Sequence, residues 1–357
     1  MRVVARQPAR LESPGMFVAD SSIGYRLAPS YSGYRGNRVE YMNRIRTDTL
    51  GMRTDPDGAR VNTSGEADSG VPILVLGDSF IFGQGVEARE VFSTKLEQRL
   101  RADGISAKVL NAGVPGYGLR EEASWLSRFG GKIHPRLVII GIYLGNDLVD
   151  GLRNPAQRLR DGGVTAPATT WHTPISAWLY AHSHLYDLAR EGAVRIAMLL
   201  RPGHAGELEV GDQLVSPDPA ARKAETDSAA AALDDLLRSA ASLESATFAF
   251  FIPQIVQVET WRLRDLPRRV AIAGPVDLTY PNRIFSRLLV ERNVPFLDLT
   301  SPFQEAARQG DTLYLPIDRH WTLRGHELAA ALVARVIESS LRDVADRAAT
   351  PAPHMAR

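Results

Sequence analysis

Cysteine is absent from the 357-residue chain, which removes a disulfide framework, a thiolate nucleophile and a zinc–cysteine site together. An excess of charge of one sign is also lacking, because 42 Lys and Arg stand against 41 Asp and Glu for a formal net charge of +1. Such a balance gives no reason to expect a nucleic-acid partner or attraction to an anionic membrane. No clean apolar run has the length of a membrane span. The greasiest stretch, "ISAWLYAHSHLYDLAREGAVRIAMLL" at 175–200, carries Asp187, Arg190, Glu191 and Arg195 and predicts an amphipathic helix instead. The N-terminus has basic residues but no apolar stretch of signal-peptide length. As written, the chain is expected to stay in the cytoplasm; one trimmed of an export or anchor segment would carry the same pattern. The glycines at 77, 83 and 85 are not followed by Gly-Lys-[Ser/Thr], and "GVPGYG" at 113–118 lacks the glycine order of a dinucleotide fingerprint. Neither a metal nor an organic cofactor is expected.

What is present is ordinary for a globular protein, with 44% hydrophobic and 23% charged residues. Residues 1–70, rich in arginine and turn formers, read as a partly irregular cover segment with one plausible strand at "VEYMNRIRT". A regular rhythm begins at 71. "VPILVLG", "AKVLNAG" and "PRLVIIGIYLG" are short apolar runs typical of strands buried on both faces, and "EVFSTKLEQRL" and "LREEASWLSRF" between them have helical spacing. This alternation predicts an α/β domain over 71–345, a mainly parallel sheet between two helical layers. Residues of about 150–245 break the rhythm and read as a helical insertion, ending in the alanine-rich "DSAAAALDDLLRSAASL". The pattern resumes at "ATFAFFIPQ" and closes with "GHELAAALVARVIESSL", leaving 346–357 as a C-terminal tail.

Three strand ends then offer three different groups: Gly77-Asp78-Ser79 a hydroxyl, Asn111-Ala112-Gly113 a glycine N–H, and Gly145-Asn146-Asp147 a side-chain amide. In an open parallel sheet such groups gather at the carboxyl ends of the strands. Near the C-terminus "LPIDRHW" adds Asp318 and His320. Together these are the parts of an acyl-transfer site. Serine is a poor nucleophile until a base such as His320 takes its proton, and the base needs a group such as Asp318 to hold its tautomer. A tetrahedral intermediate needs fixed donors for its oxyanion, a role open to the N–H groups of Ser79 and Gly113 and to the Asn146 amide. A helix starting at Ser79 would favour negative charge there as well.

At these residues the chain resembles the SGNH hydrolases, also called the GDSL family. Gly77-Asp78-Ser79 corresponds to the first block, Gly113 within "NAGVPGYG" to the second, and Asn146-Asp147 to the third, with Gly145 directly abutting the asparagine. In the last block only Arg319 separates Asp318 from His320, where the family usually has two residues. Asp-x-His followed by Trp321 is similar to a subset that includes carbohydrate O-acetyltransferases of the alginate type. The resemblance runs from about 71 to 340, omitting the insertion. It implies a flavodoxin-like three-layer sandwich, Ser79 as nucleophile, Asp318 and His320 as its partners, and an oxyanion hole of Ser79, Gly113 and Asn146.

Taken singly, each motif has a plainer explanation. Gly-Asp-Ser is as readily a turn or helix cap, and Asp147 as readily a loop organiser. His326 would fall inside a helix capped by Thr322 and reads as structural. His182 and His184, without cysteines or an obvious carboxylate nearby, read as a solvated or packed pair, and Trp171, Trp178, Tyr180 and Tyr186 as core of the insertion. The joint occurrence of Ser79, Gly113, Asn146 and His320 favours a serine esterase acting on a small-molecule or carbohydrate ester. Acyl transfer to a carbohydrate hydroxyl is the alternative, and a non-catalytic carbohydrate-binding module the third reading. The sequence does not set the oligomeric state.

Overall fold

The computed structural model describes residues 13–37, 40–54, 70–153, 158–160, 163–165, 219–261, 277–316 and 318–349. Residues 166–218, with Trp171, Trp178, Tyr180, His182, His184 and Tyr186, and residues 350–357 of the C-terminal tail lie outside them, whereas 346–349 of that tail continue the last helix.

The chain begins with β1 (Phe17–Asp20), β2 (Gly24–Leu27), β3 (Ser32–Gly36), β4 (Met42–Thr47) and β5 (Arg53–Thr54). It continues with β6 (Val71–Leu76), α1 (Ser79–Phe82), α2 (Phe92–Ala102), β7 (Ala107–Asn111), α3 (Leu119–Phe129), β8 (Leu137–Tyr143) and α4 (Asp147–Arg153). A small antiparallel pair, β9 (Arg158–Arg160) and β10 (Gly163–Thr165), precedes α5 (Pro219–Ser242). Last come β11 (Ala246–Ile252), α6 (Ile255–Val258), α7 (Tyr280–Glu291), β12 (Phe296–Asp298), α8 (Thr300–Arg308) and α9 (Leu323–Ala349).

One eight-stranded sheet runs β12-β11-β8-β6-β7-β5-β4-β3. Its five strands β6, β7, β8, β11 and β12 pair in parallel, and numbered along the chain they stand in the order 2-1-3-4-5. That is the flavodoxin-like order, whose crevice opens where the chain leaves the first strand in opposite directions, at the carboxyl end of β6. The central strands β6, β8 and β11 are almost wholly apolar because both of their faces meet a helical layer. Leu74 and Leu76 pack toward α3, α5 and α7, while Ile73 and Val75 pack toward α2, α8 and α9. Burying each such side chain contributes about 1.5–3 kcal/mol.

Two features differ from the sequence expectation. The described part of the cover segment is largely stranded: β3, β4 and β5 extend the sheet antiparallel beyond β7, and β1 with β2 forms a hairpin. Half-exposed strands with arginines on the wet face do not give the apolar runs that announced β6 and β8. The alanine-rich helix is likewise no insertion. As α5 it connects parallel neighbours β8 and β11, with Ala229, Ala232, Leu233, Leu236 and Ala240 in one core with Leu119, Ala123 and Leu126 of α3.

Candidate active site

The turn after β6 is shaped by what its atoms can tolerate. A Cβ on Gly77 would lie 2.2 Å from Ile81 Cγ1, so the chain reverses here only without a side chain. Asp78 caps the new turn, its Oδ1 accepting the Phe80 N–H at 2.8 Å. Ser79 is the first residue of α1, where an N–H has no partner inside the turn. Since α1 is a single turn of four residues, it adds little of the helix dipole expected there.

The far end of α1 is held from β7 and β5. Asn111 Nδ2 donates to the Ile81 carbonyl at 2.7 Å, and Arg53 Nη1 donates to those of Phe82 and Gly83 at 2.7 and 2.6 Å. Arg53 Nη2 reaches the Val86 carbonyl at 2.7 Å, and its guanidinium lies over the Phe82 ring, 4.7 Å from the centroid. Burial pushes this arginine down to about 10. A buried cation is therefore spent on backbone acceptors around the serine turn rather than on a carboxylate.

Ser79 Oγ lies 2.7 Å from His320 Nε2, across a separation of 241 residues. The other imidazole nitrogen, Nδ1, bonds Asp318 Oδ1. This assigns the proton to Nδ1 and leaves Nε2 to accept from the serine. With that tautomer, the 3.4 Å approach of Gln84 Nε2 to Nδ1 is a contact between two donors, not a hydrogen bond. The Gln84 amide instead donates to both Asp318 oxygens at 3.2 Å, and Tyr41 Oη donates to Oδ2 at 2.7 Å. Burial pushes the Asp318 carboxyl up, but its bond to His320, the imidazolium charge, and the Tyr41 and Gln84 donors outweigh that and hold it at about 2.

The one-residue spacing between Asp318 and His320 has a backbone consequence. Arg319 takes a left-handed conformation, φ +69°, within a loop closed by Leu315 N–H to His320 O at 2.8 Å and Arg319 N–H to Leu315 O at 3.0 Å. Such a conformation costs a non-glycine residue about 1–2 kcal/mol. Trp321 then anchors the returning chain. It is fully buried, bridges Tyr314 and packs on Phe80 and Phe303, each 5.3 Å between centroids. The tryptophan of the Asp-x-His-Trp pattern is thus core, not a surface for stacking sugars. Phe80 also lies against His320, with centroids 4.7 Å apart.

The expected oxyanion donors are not equivalent. The Asn146 side chain is half-buried and makes no hydrogen bond among the described residues; its carboxamide oxygen is fully buried. Gly113 sits so close to α1 that a Cβ would lie 2.3 Å from Phe82 N, and its own N–H already donates to Asn111 Oδ1 at 3.0 Å. Asp147 organises the loop, its Oδ2 accepting the Tyr143 N–H at 2.7 Å. Thr322 lies at the start of α9, its carbonyl accepting the His326 N–H at 3.1 Å. His326 is fully buried, its Nδ1 accepting the Phe92 N–H at 3.2 Å, and burial pushes it down to about 3.

Beneath the serine turn lie three buried carboxyls, Asp78, Glu122 and Asp147. Burial pushes Asp78 up to about 6, against the Phe80 N–H and the charge of His320. Burial also raises Glu122 and Asp147; the neighbouring Asp78 and Glu121 charges raise Glu122 further, and those of Glu122, Asp78 and Asp150 raise Asp147. Among the described residues, no group of three His, Asp or Glu side chains is arranged to hold a metal ion. Nor is any described helix long and apolar enough to cross a membrane.

Of the residues that short motifs pointed to, the structure joins Ser79, His320 and Asp318 by hydrogen bonds, while Tyr41, Gln84 and Arg53, which contact them or the serine turn, lie in no such motif. Asn111, which also holds the turn, lies beside Gly113 but carried no expected role of its own. Gln84 left a faint signal, a polar residue between two glycines directly after the serine turn; Tyr41 and Arg53 left none.

The family model described as the GDSL-like lipase/acylhydrolase family matches residues 75–269, more than half of the chain. A model of the SGNH hydrolase-like domain of the acetyltransferase AlgX matches residues 275–353. No curated protein matches the sequence. Among solved structures, TesA is 13% identical with a TM-score of 0.42, over 75% of this chain and 98% of that one. The esterase EstA from Pseudoalteromonas sp. is 13% identical with a TM-score of 0.41, over 76% and 99%. An acetyl-xylooligosaccharide esterase from Geobacillus is 17% identical with a TM-score of 0.39, over 75% and 94%.

Proposed function

Because the chain belongs to the GDSL-like lipase/acylhydrolase family, we propose that it is a serine esterase hydrolysing a carboxylic ester with a short acyl group through an acyl-enzyme on Ser79. The observation that carries this reading is the bonded series Ser79 Oγ, His320 Nε2, His320 Nδ1 and Asp318 Oδ1. As Ser79 Oγ attacks the ester carbonyl, its proton passes to His320 Nε2, and Asp318 stabilises the imidazolium. The carbonyl oxygen becomes an oxyanion, with the Ser79 N–H and Asn146 Nδ2 as its donors. Gly113, whose N–H is engaged by Asn111, joins only as a shared donor. Collapse returns the proton from His320 to the leaving alcohol, and a water activated by the same histidine then releases the acid and restores Ser79.

A second reading is favoured by the AlgX-type match over 275–353, the stretch that holds Asp318 and His320: transfer of the acyl group to a carbohydrate hydroxyl. The chemistry is shared up to the acyl-enzyme, so the acceptor decides. Hydrolysis of p-nitrophenyl acetate by wild type and by Ser79→Ala, with and without a sugar acceptor, tests both. Activity that disappears in Ser79→Ala supports the serine route, and acetylated acceptor shifts the reading to transfer. Equal activity in the two proteins removes Ser79 from the mechanism. Equal inertness across short-acyl esters turns the reading toward the non-catalytic module.

A further inference from the structure

Asp318 stands at the tip of a loop, and the side chains that hold it there come from elsewhere in the fold. Tyr41, 277 residues away, donates its hydroxyl to Oδ2 at 2.7 Å. Glu40 Oε2 accepts the Asp318 backbone N–H at 2.8 Å, and Glu40 is itself held by Asn37 Nδ2 at 3.0 Å. Arg35, on β3, fixes the Gln84 carboxamide oxygen at 3.0 and 3.3 Å, which turns the Gln84 amine toward the Asp318 carboxylate. The Asp318 side chain is 13% exposed, so solvent does not replace these donors.

We infer that Tyr41 is a positioning residue for the proposed acyl transfer, binding Asp318 Oδ2 so that Oδ1 stays aimed at His320. This rests on the proposed serine mechanism. The left-handed Arg319 makes the need physical. With one residue between Asp318 and His320, the loop holds a conformation that side chains disfavour, and a carboxylate free to rotate would offer Nδ1 either oxygen or neither. A phenol suits the task because it is a compact donor on a rigid ring. Burial and the Asp318 charge both raise Tyr41, so its hydroxyl keeps the proton that it donates. The segment that begins as a cover thereby becomes part of the catalytic apparatus.

The test is a double-mutant cycle of Tyr41→Phe and Asp318→Asn, read by steady-state hydrolysis of p-nitrophenyl acetate and by the proton NMR signal of the His320 Nδ1–H. Tyr41→Phe is expected to lower kcat about tenfold with KM held within about twofold, as lost positioning requires. In the Asp318→Asn background it should cost nothing further, because the residue it acts through is already disabled. An equal loss in both backgrounds, or an unchanged kcat in Tyr41→Phe, overturns the inference. The NMR signal separates this failure from failure of the function itself. An Nδ1–H held on Asp318 Oδ1 gives a downfield signal, and Tyr41→Phe should broaden it or move it upfield as the carboxylate loses its fixed orientation. An unchanged signal sinks the Tyr41 inference whatever the activity. A changed signal in a protein without Ser79-dependent hydrolysis upholds the contact and removes the esterase instead.

Discussion

Asn146 and Asp318 serve opposite ends of the same proposed charge movement, so their variants should fail in different ways. Asn146→Ala removes a donor from the developing oxyanion and should lower kcat about 100- to 1000-fold with little change in KM. Asp318→Asn leaves the shape intact but no longer enforces the Nδ1–H tautomer, and should lower kcat by up to about 10,000-fold. Steady-state kinetics on one activated ester resolves both. His326, close behind, sets a pH dependence of stability. It stays neutral in the folded protein down to about pH 3, whereas an ordinary histidine in the unfolded chain takes a proton near 6.5. The unfolded chain then binds more protons within that window, so stability falls as pH drops, by up to about 1.4 kcal/mol per unit from this group. Urea titrations from neutral pH to about pH 5 should show a flatter decline in His326→Phe than in wild type. These five positions, Ser79, Gly113, Asn146, Asp318 and His320, were legible because each lies within a short motif. Tyr41 was not, because a contact across 277 residues leaves no local pattern.

The serine turn is an element held by its surroundings more than by its own hydrogen bonds. Arg53 is its main lateral support, and replacing it by methionine keeps volume while leaving the carbonyls of Phe82, Gly83 and Val86 without their donors. A loss of about 2–4 kcal/mol in unfolding free energy is expected, read by urea denaturation with an unchanged m value. Gly113→Ala places a methyl 2.3 Å from Phe82 N and must push α1 away from β7. That variant should lose both stability and activity, and a fully active Gly113→Ala would show that the turn is not confined as described. At this scale β6, β7, β8 and β11 could be read from sequence since burial on both faces demands apolar runs. Of the antiparallel strands only β4, within "VEYMNRIRT", was read; β3 and β5 are short and carry the arginine and glycine that also mark loops. The alanine-rich α5 was read as a helix but assigned to an insertion, because its small side chains hide the close packing on α3 that defines its layer.

Across the whole molecule, the strand order 2-1-3-4-5 brings the ends of β6, β7 and β8 together, and the antiparallel extension carries Tyr41 and Arg53 to the same edge. The alternation of strands and helices was enough to expect the parallel sheet and its crevice. It gave no sign that the N-terminal segment reaches the acid of the proposed triad, and removing residues 1–54 should abolish activity even if a folded remainder survives. The most direct test of the central claim is intact-mass and peptide analysis of the protein quenched during turnover of a short-acyl activated ester. The account predicts one acyl group, found on the peptide containing Ser79, absent from Ser79→Ala and accumulating when Asp318→Asn slows deacylation. An acyl group on any other residue, or undiminished turnover in Ser79→Ala, would contradict it.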